Sequence, residues 1–183
     1  MKKIVLIFGS PHEDGPTAAL VNACLAGFRE EVALTRFDCF ATAPHPCDDC
    51  RACHTVDGCR YHDLDALYEA VESADGLLFA TPVYNRSFPA PMKALLDRLQ
   101  RYWAARFVRG MRPPIAIPKK AVLLTAGGAA RMDGTFLQAQ LAPILTVLHS
   151  TPAVAVHAAD TDSAPLSADI LAAATTAGQH LMA

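Results

Sequence analysis

The chain has 183 residues, of which 52% are hydrophobic and 19% are charged, and its formal net charge is −2. This length suits a single domain spanning residues 1–183, and the composition excludes a disordered chain. The charge argues against a dedicated nucleic-acid-binding protein, which would normally be strongly basic. No segment approaches the roughly 20 apolar residues that a membrane span needs. We therefore expect a cytoplasmic globular protein with no nucleic-acid or membrane partner.

Short apolar runs alternate along the chain with segments of helical periodicity. Ile4 to Phe8 predicts a buried strand and Thr17 to Phe28 predicts the helix after it. Asp63 is the candidate N-cap of a later helix. The further predicted strands are 32–39, 76–83, 121–125 and 152–157, and the further predicted helices are 63–73, 91–103, 135–148 and 166–181.

This alternation predicts βαβ units, which form a parallel sheet with helices on both faces. Five strands and five helices predict a three-layer, doubly wound α/β fold with strand order 2-1-3-4-5. In such a fold the loops that follow the strands all emerge at one edge of the sheet, which we call the rim, and ligands bind there. The rim loops of interest begin near Gly9, Asp38, Thr81 and Thr125.

The first rim loop has the chemistry of a phosphate site. A helix N-terminus offers free N–H groups and a partial positive charge, and glycines let the backbone turn tightly around an anion. Hydroxyl groups add further donors. An ordinary turn between strand and helix is the alternative. The candidate binding residues are Ser10, Pro11, His12, Gly15, Pro16 and Thr17.

The third and fourth rim loops combine an aromatic side chain, polar groups and glycines. Such a mixture suits a flat ring system, which needs a stacking surface and hydrogen bonds to its edge. A proline-rich turn with a surface tyrosine is the alternative for the third loop. The candidate residues are Pro82, Val83, Tyr84, Asn85, Arg86 and Ser87 in the third loop and Thr125, Ala126, Gly127 and Gly128 in the fourth.

The second rim loop, residues 46–60, contains Cys47, Cys50, Cys53 and Cys59 in the spacing C-x2-C-x2-C-x5-C. Three cysteines at three-residue steps can surround one compact centre, as in bacterial ferredoxins. This compactness favours a [4Fe–4S] cluster over zinc, which usually takes two more widely separated cysteine pairs. Four reduced thiols without a metal remain open as the third possibility.

Three of these segments resemble a known family. GSPHEDGPTAAL, at residues 9–20, is similar to the GSPRxxGNTxxL phosphate loop of flavodoxin-like NAD(P)H-dependent FMN reductases, with His12 and Pro16 at positions where the family usually has Arg and Asn. PVYNRSFPAPMKALLDRL, at residues 82–99, resembles their PVYxxSxxxxLKxxIDRL segment, which contacts the flavin. The cysteine loop resembles that of the iron–sulfur flavoproteins, a branch of this family.

The resemblance implies a flavodoxin-like protein that binds FMN and passes electrons from NAD(P)H to a quinone, flavin or other small acceptor. Such a reaction requires no acid or base from a side chain, although Arg86 is a candidate for stabilising negative charge on the reduced ring. An electron carrier that serves a ferredoxin-like protein and a flavin-free zinc module are the alternatives. The resemblance also implies a homodimer or homotetramer.

A basic strip follows the third rim loop and contains no acidic residue between positions 98 and 132. Such strips steer anions or meet other subunits, but more often they are solvated surfaces. We expect a solvated surface. The strip consists of Arg98, Arg101, Arg106, Arg109, Arg112, Lys119, Lys120 and Arg131.

Overall fold

The computed structural model describes residues 1–131 and 134–183. Within these ranges the strands are β1 (Lys2–Phe8), β2 (Val32–Asp38), β3 (Gly76–Pro82), β4 (Lys120–Ala126) and β5 (Val154–Ala158). They form one sheet in the order β2-β1-β3-β4-β5, and every neighbouring pair is parallel. The predicted fold class and strand order are therefore confirmed.

Helices cover both faces of the sheet. The helices are α1 (Pro16–Ala26), α2 (Cys39–Thr42), α3 (Asp65–Ser73), α4 (Ala90–Arg98), α5 (Gln100–Phe107), α6 (Thr135–Val147) and α7 (Ala168–Met182), with a 3-10 turn at Ala52–His54. Helices α1 and α7 pack on one face, and α3, α4, α5 and α6 pack on the other. No helix in the described ranges is long and apolar enough to cross a bilayer.

Strand β1 shows why an unbroken apolar run forms the centre of this sheet. Its residues from Ile4 to Phe8 are at most 2% exposed. Val5 and Ile7 pack with α3 and α4, whereas Ile4, Leu6 and Phe8 pack with α1 and α7. Because successive side chains of a strand point to opposite faces, a strand covered on both sides is apolar at every position.

Two details differ from the sequence predictions. The predicted helix 91–103 is two helices, because Leu99 (φ −67°, ψ −4°) turns the chain between α4 and α5. Asp63 is not a helix cap, since α3 is preceded by Leu64, which makes no side-chain capping bond. The Asp63 carboxylate instead accepts hydrogen bonds from the His45 amide at 2.8 Å and from Arg98 Nη2 at 2.9 Å.

Candidate functional site

The rim loops after β1, β3, β4 and β5 surround one cavity of about 300 Å³. This volume lies at the lower end of the range for small-molecule sites, about 300–1,000 Å³. The cavity brings together ten of the residues predicted from the sequence and adds two that were not predicted, Thr161 and Asp162. The predicted residues that line it are Ser10, His12, Gly15, Pro16, Thr17, Pro82, Val83, Tyr84, Ala126 and Gly128.

The first loop presents the N-terminus of α1 to this cavity. Gly15 occupies the N-cap position and, within the described residues, no side chain caps the helix. Pro16 begins the first turn, where its missing N–H removes no helical hydrogen bond. Ser10 and Thr17 are only 5% and 2% exposed, and the Ser10 hydroxyl accepts a hydrogen bond from the His12 amide at 3.1 Å. The loop therefore has a fixed shape around an open helix end.

The third loop makes a tight turn that places Tyr84 at the mouth of the cavity. Tyr84 and Ser87 exchange backbone hydrogen bonds of 3.0 and 2.8 Å. The two residues between them, Asn85 (φ 50°) and Arg86 (φ 59°), both have left-handed backbone conformations. Such conformations are unfavourable for non-glycine residues and are concentrated at functional sites. Tyr84 remains 43% exposed.

Backbone hydrogen bonds join the loops after β3, β4 and β5. The Val83 amide donates to the Ala126 carbonyl at 2.8 Å, and the Thr161 amide donates to the Gly127 carbonyl at 3.1 Å. A Cβ atom added to Gly128 would lie 2.0 Å from Asp162 Oδ2. A side chain at position 128 would therefore displace the Asp162 carboxylate from the cavity wall.

Several predicted residues lie beside the cavity without lining it. The Thr125 hydroxyl is 2.8 Å from His157 Nδ1, and the Arg86 guanidinium lies 4.9 Å from the centre of the Phe136 ring on α6. The first contact links β4 to β5, and the second links the third rim loop to α6. The predicted residues outside the lining are Pro11, Asn85, Arg86, Ser87, Thr125 and Gly127.

Thr161 and Asp162 were not predicted, because they lie in the loop after the fifth strand and the predicted rim loops followed only the first four. Strand β5 is paired in parallel with β4, so its loop opens on the same rim. The strand order predicted from the sequence already contained this information.

The cysteine loop forms a second, smaller cavity of about 30 Å³, which all four of its cysteines line. Cys47 and Cys50 are exposed, and Cys53 and Cys59 are partly buried. Burial raises the pKa of Cys53, and the other thiols of the loop raise it further. No three His, Cys, Asp or Glu side chains in the described ranges are close enough to hold a single metal ion. The four thiols therefore share a cavity, but the described residues form no assembled metal site.

Arg98 holds the two ends of this loop together. Its side chain is 1% exposed, and its Nη atoms donate to the carbonyls of His45 at 2.9 Å and Tyr61 at 2.8 Å as well as to Asp63. Burial alone would raise the pKa of Asp63, but the His45 amide and the Arg98 guanidinium lower it below its ordinary value. The His45 and Tyr61 rings stack with centroids 3.8 Å apart.

Arg101 and Arg109 hold the middle of the loop. Both bind Asp57 Oδ1, at 3.3 and 2.7 Å respectively. Arg109 Nη1 also donates to the carbonyls of Cys53, at 2.8 Å, and Val56. We call Arg98, Arg101 and Arg109 the arginine clamp.

The expectation that the basic strip is a solvated surface is therefore wrong for four of its eight residues, Arg98, Arg101, Arg109 and Lys119. Arg101 and Arg109 side chains are only 11% and 13% exposed. Lys119 is also buried, its Nζ donates to the Ala74 carbonyl at 2.9 Å, and burial lowers its pKa to about 8. Arg101 on α5 and Arg109 just after it bind the cysteine loop, whereas Lys119 binds the end of α3. A linear sequence pattern does not reveal these contacts.

Comparison with known proteins identifies the family. A family profile described as NADPH-dependent FMN reductase matches residues 2–163. An iron–sulfur flavoprotein of Methanosarcina thermophila is 35% identical over 102 residues, 52% of this chain and 51% of that protein. An FMN reductase (NADPH) of Pseudomonas aeruginosa is 32% identical over 123 residues, 63% of this chain and 59% of that protein. The chain thus spans between half and two thirds of the length of these relatives.

A solved structure shares the whole fold. An NAD(P)H:quinone oxidoreductase from Methanothermobacter marburgensis superimposes with a TM-score of 0.73, covering 98% of this chain and 96% of that one at 20% identity. The match to the family profile extends from β1 beyond β5 and includes every loop of the rim cavity. This chain belongs to the NADPH-dependent FMN reductase family and has its flavodoxin-like fold.

Proposed function

We propose that this protein is an FMN-dependent oxidoreductase that takes electrons from NAD(P)H and passes them to a small acceptor such as a quinone or a flavin. The observation that carries this proposal is the convergence of four rim loops on one cavity that contains the open N-terminus of α1. Bound FMN would supply a ring that accepts hydride from the nicotinamide and returns the electrons to the acceptor.

The residues around the cavity fit FMN. A monophosphate matches the amides of the first turn of α1 together with the hydroxyl groups of Ser10 and Thr17, because a helix N-terminus binds anions without needing a cation. The Tyr84 side chain at the mouth offers an aromatic surface, and Gly128 allows the backbone to approach a ring closely. These residues bind and orient the cofactor, and no side chain is required to transfer a proton.

The proposal is tested by mixing the FMN-loaded protein with NADH or NADPH under anaerobic conditions. We expect loss of the visible flavin absorbance with one of the two nucleotides, followed by its recovery when a quinone is added. Protein that binds FMN but is reduced by neither nucleotide would overturn the reductase assignment. Protein that binds no FMN would overturn the cofactor assignment as well.

We also propose that the cysteine loop holds a [4Fe–4S] cluster, so that the protein can exchange single electrons with a ferredoxin-like partner. All four of its thiols line one cavity. The spacing of its first three cysteines is that of a compact ferredoxin-type centre. Several relatives are named iron–sulfur flavoproteins. All six cysteines lie in the described ranges and are free thiols.

Metal analysis of anaerobically purified protein tests this second proposal. We expect iron and acid-labile sulfide in a one-to-one ratio, both lost in the Cys50→Ala variant. Colourless protein with stoichiometric zinc would overturn it in favour of a zinc module. The resemblance to oligomeric flavoproteins also leads us to propose a homodimer or homotetramer, which sedimentation analysis would test.

A further inference from the structure

His12 lies beside the N-terminus of α1, where the phosphate of FMN is proposed to bind. It lines the rim cavity together with Gly15 and Thr17. Gly15 is the N-cap residue of α1, and a Cβ atom added to it would lie 3.4 Å from the Cβ atom of His12. The His12 side chain therefore leaves the backbone next to the open end of the helix.

The hydroxyl group of Thr17 marks the same end of the cavity as a place for a ligand. Thr17 is 2% exposed and lines the cavity, and its hydroxyl forms no hydrogen bond within residues 1–131 and 134–183. Buried polar groups in native proteins almost always have a partner. A buried hydroxyl without one at a cavity wall therefore indicates an acceptor, such as a phosphate oxygen, that binds there.

His12 is the one residue in the described lining of this cavity that can carry a positive charge. Its backbone amide and carbonyl both bond to the Ser10 hydroxyl. Its imidazole makes no hydrogen bond or ion pair with any described residue, and the residue is exposed. The ring can therefore turn towards a bound phosphate without breaking another contact.

The surroundings of His12 contain other charged and titratable side chains, in its own loop, on β2 and in the other rim loops. Arg36 is already paired, because its Nη2 atom lies 2.6 Å from Glu13 and 3.2 Å from Asp38. Ordinary carboxyl and phenol groups do not titrate between about pH 6.5 and about pH 8.5, whereas a histidine does. The side chains concerned are Glu13, Asp14, Arg36, Asp38, Tyr84 and Asp162.

We propose that the protonated imidazole of His12 pairs with the phosphate of FMN, so that the affinity for FMN falls as the pH rises and histidine loses its proton. This inference rests on the proposed FMN site. It does not depend on NAD(P)H activity. An anion favours the protonated form of a neighbouring imidazole, and by linkage the protonated form binds the anion more tightly.

The phosphate itself changes the affinity in the opposite direction. A phosphate monoester loses its second proton near pH 6, and the added negative charge strengthens its binding to a helix N-terminus. Titration of the phosphate therefore makes FMN bind more tightly as the pH rises. A loss of affinity at higher pH has to come from a group on the protein.

The experiment is a fluorescence titration with FMN at about pH 6.5 and about pH 8.5, at constant ionic strength. Contact with an opposite charge shifts a protonation equilibrium at least about tenfold, so the dissociation constant of the wild-type protein should rise about fivefold between these pH values. In His12→Gln, which has no charge, it should not rise. In His12→Arg, which keeps its charge throughout, it should not rise either.

Two controls separate this ion pair from a general effect of pH. Riboflavin lacks the phosphate, so wild type should bind it equally at both pH values and His12→Gln should bind it as tightly as wild type. His62→Gln removes a histidine that is 79% exposed, lies 2.8 Å from Asp65 and does not line the cavity. This variant should keep the fivefold rise for FMN.

A rise of equal size in wild type and His12→Gln would overturn the inference, as would an equal rise for riboflavin or an unchanged dissociation constant in wild type. Each of these results leaves the FMN site standing, because FMN still binds. Wild-type protein that binds FMN at neither pH would overturn the inference together with the proposed cofactor.

Discussion

The rim cavity and the four-cysteine cavity are built from different parts of the chain. Backbone hydrogen bonds between neighbouring loops form the rim cavity, with glycines at the points of close approach. The four-cysteine cavity depends on side chains, because the arginine clamp reaches it from α4, α5 and the segment just after α5. A change in one clamp residue should therefore disturb the cysteine loop globally, whereas a change at the rim should alter ligand binding and leave stability intact.

Replacing Arg98 by Met should have the largest effect on stability. Arg98→Met removes three hydrogen bonds and leaves Asp63 without its ion pair. Because Asp63 is 32% exposed, the main cost is the loss of the three hydrogen bonds, at about 1 kcal/mol each or more, so the free energy of unfolding should fall by about 3 kcal/mol. Equilibrium unfolding in urea measures the change. Arg106→Met is the control, because Arg106 donates an exposed hydrogen bond to the Thr146 carbonyl at 3.2 Å and lies 5.3 Å from the centre of the Phe107 ring, away from the cysteine loop. Similar decreases in the free energy of unfolding of both variants would contradict the stabilising role of the arginine clamp.

Replacing Thr17 by Val should weaken FMN binding without unfolding the protein. A hydrogen bond to a charged group contributes about 1.5–3 kcal/mol, so the dissociation constant should rise at least tenfold. Fluorescence titration with FMN measures it. Thr55→Val, which removes a hydroxyl hydrogen bond inside the cysteine loop, should leave the affinity unchanged. An equal loss of FMN affinity in both variants would show that the two cavities are not independent.

Replacing Gly128 by Ala should weaken FMN binding by a smaller amount, about 1 kcal/mol, the size typical of single substitutions. The new Cβ would push the Asp162 carboxylate aside. Adding Asp162→Ala removes that collision and should restore most of the affinity. If the double variant binds FMN no better than Gly128→Ala alone, the contact between these residues does not shape the cavity.

The smallest effect is expected for Asp57→Asn. Its carboxylate pairs with Arg101 and Arg109, but the side chain is 63% exposed. Partly exposed ion pairs contribute at most about 1 kcal/mol, and salt should reduce the difference from wild type further. Unfolding in urea at low and high salt checks both points. A decrease in the free energy of unfolding as large as that of Arg98→Met would mean that the contacts in the middle of the cysteine loop stabilise the protein as much as those at its two ends.

The contrast between the two cavities also explains what the sequence could predict. Unbroken apolar strands such as Ile4 to Phe8 predict a parallel sheet, and the strand order then places the loops of Ser10, Tyr84 and Gly128 on one rim. The groups that bind a phosphate or a ring lie within single loops or at one helix end, so they appear as consecutive residues in the sequence. Four cysteines close in sequence were visible for the same reason.

Long-range side-chain contacts could not be predicted from the sequence. The hydrogen bonds of Arg98 join residues 37 and 53 positions away, and no local pattern signals them. Leu99 ends α4 without a glycine or proline to mark the break. Asp63 has the composition of a helix cap, but its carboxylate binds His45 and Arg98 instead, because a buried guanidinium needs an anionic partner.

The measurement that tests the central claim most directly compares FMN with riboflavin, which lacks only the phosphate. If the α1 N-terminus, Ser10 and Thr17 form a phosphate site, FMN should bind at least about a hundredfold more tightly, equivalent to about 2.7 kcal/mol. Inorganic phosphate should weaken FMN binding and leave riboflavin binding unchanged. Equal affinities for FMN and riboflavin would contradict the assignment of this cavity.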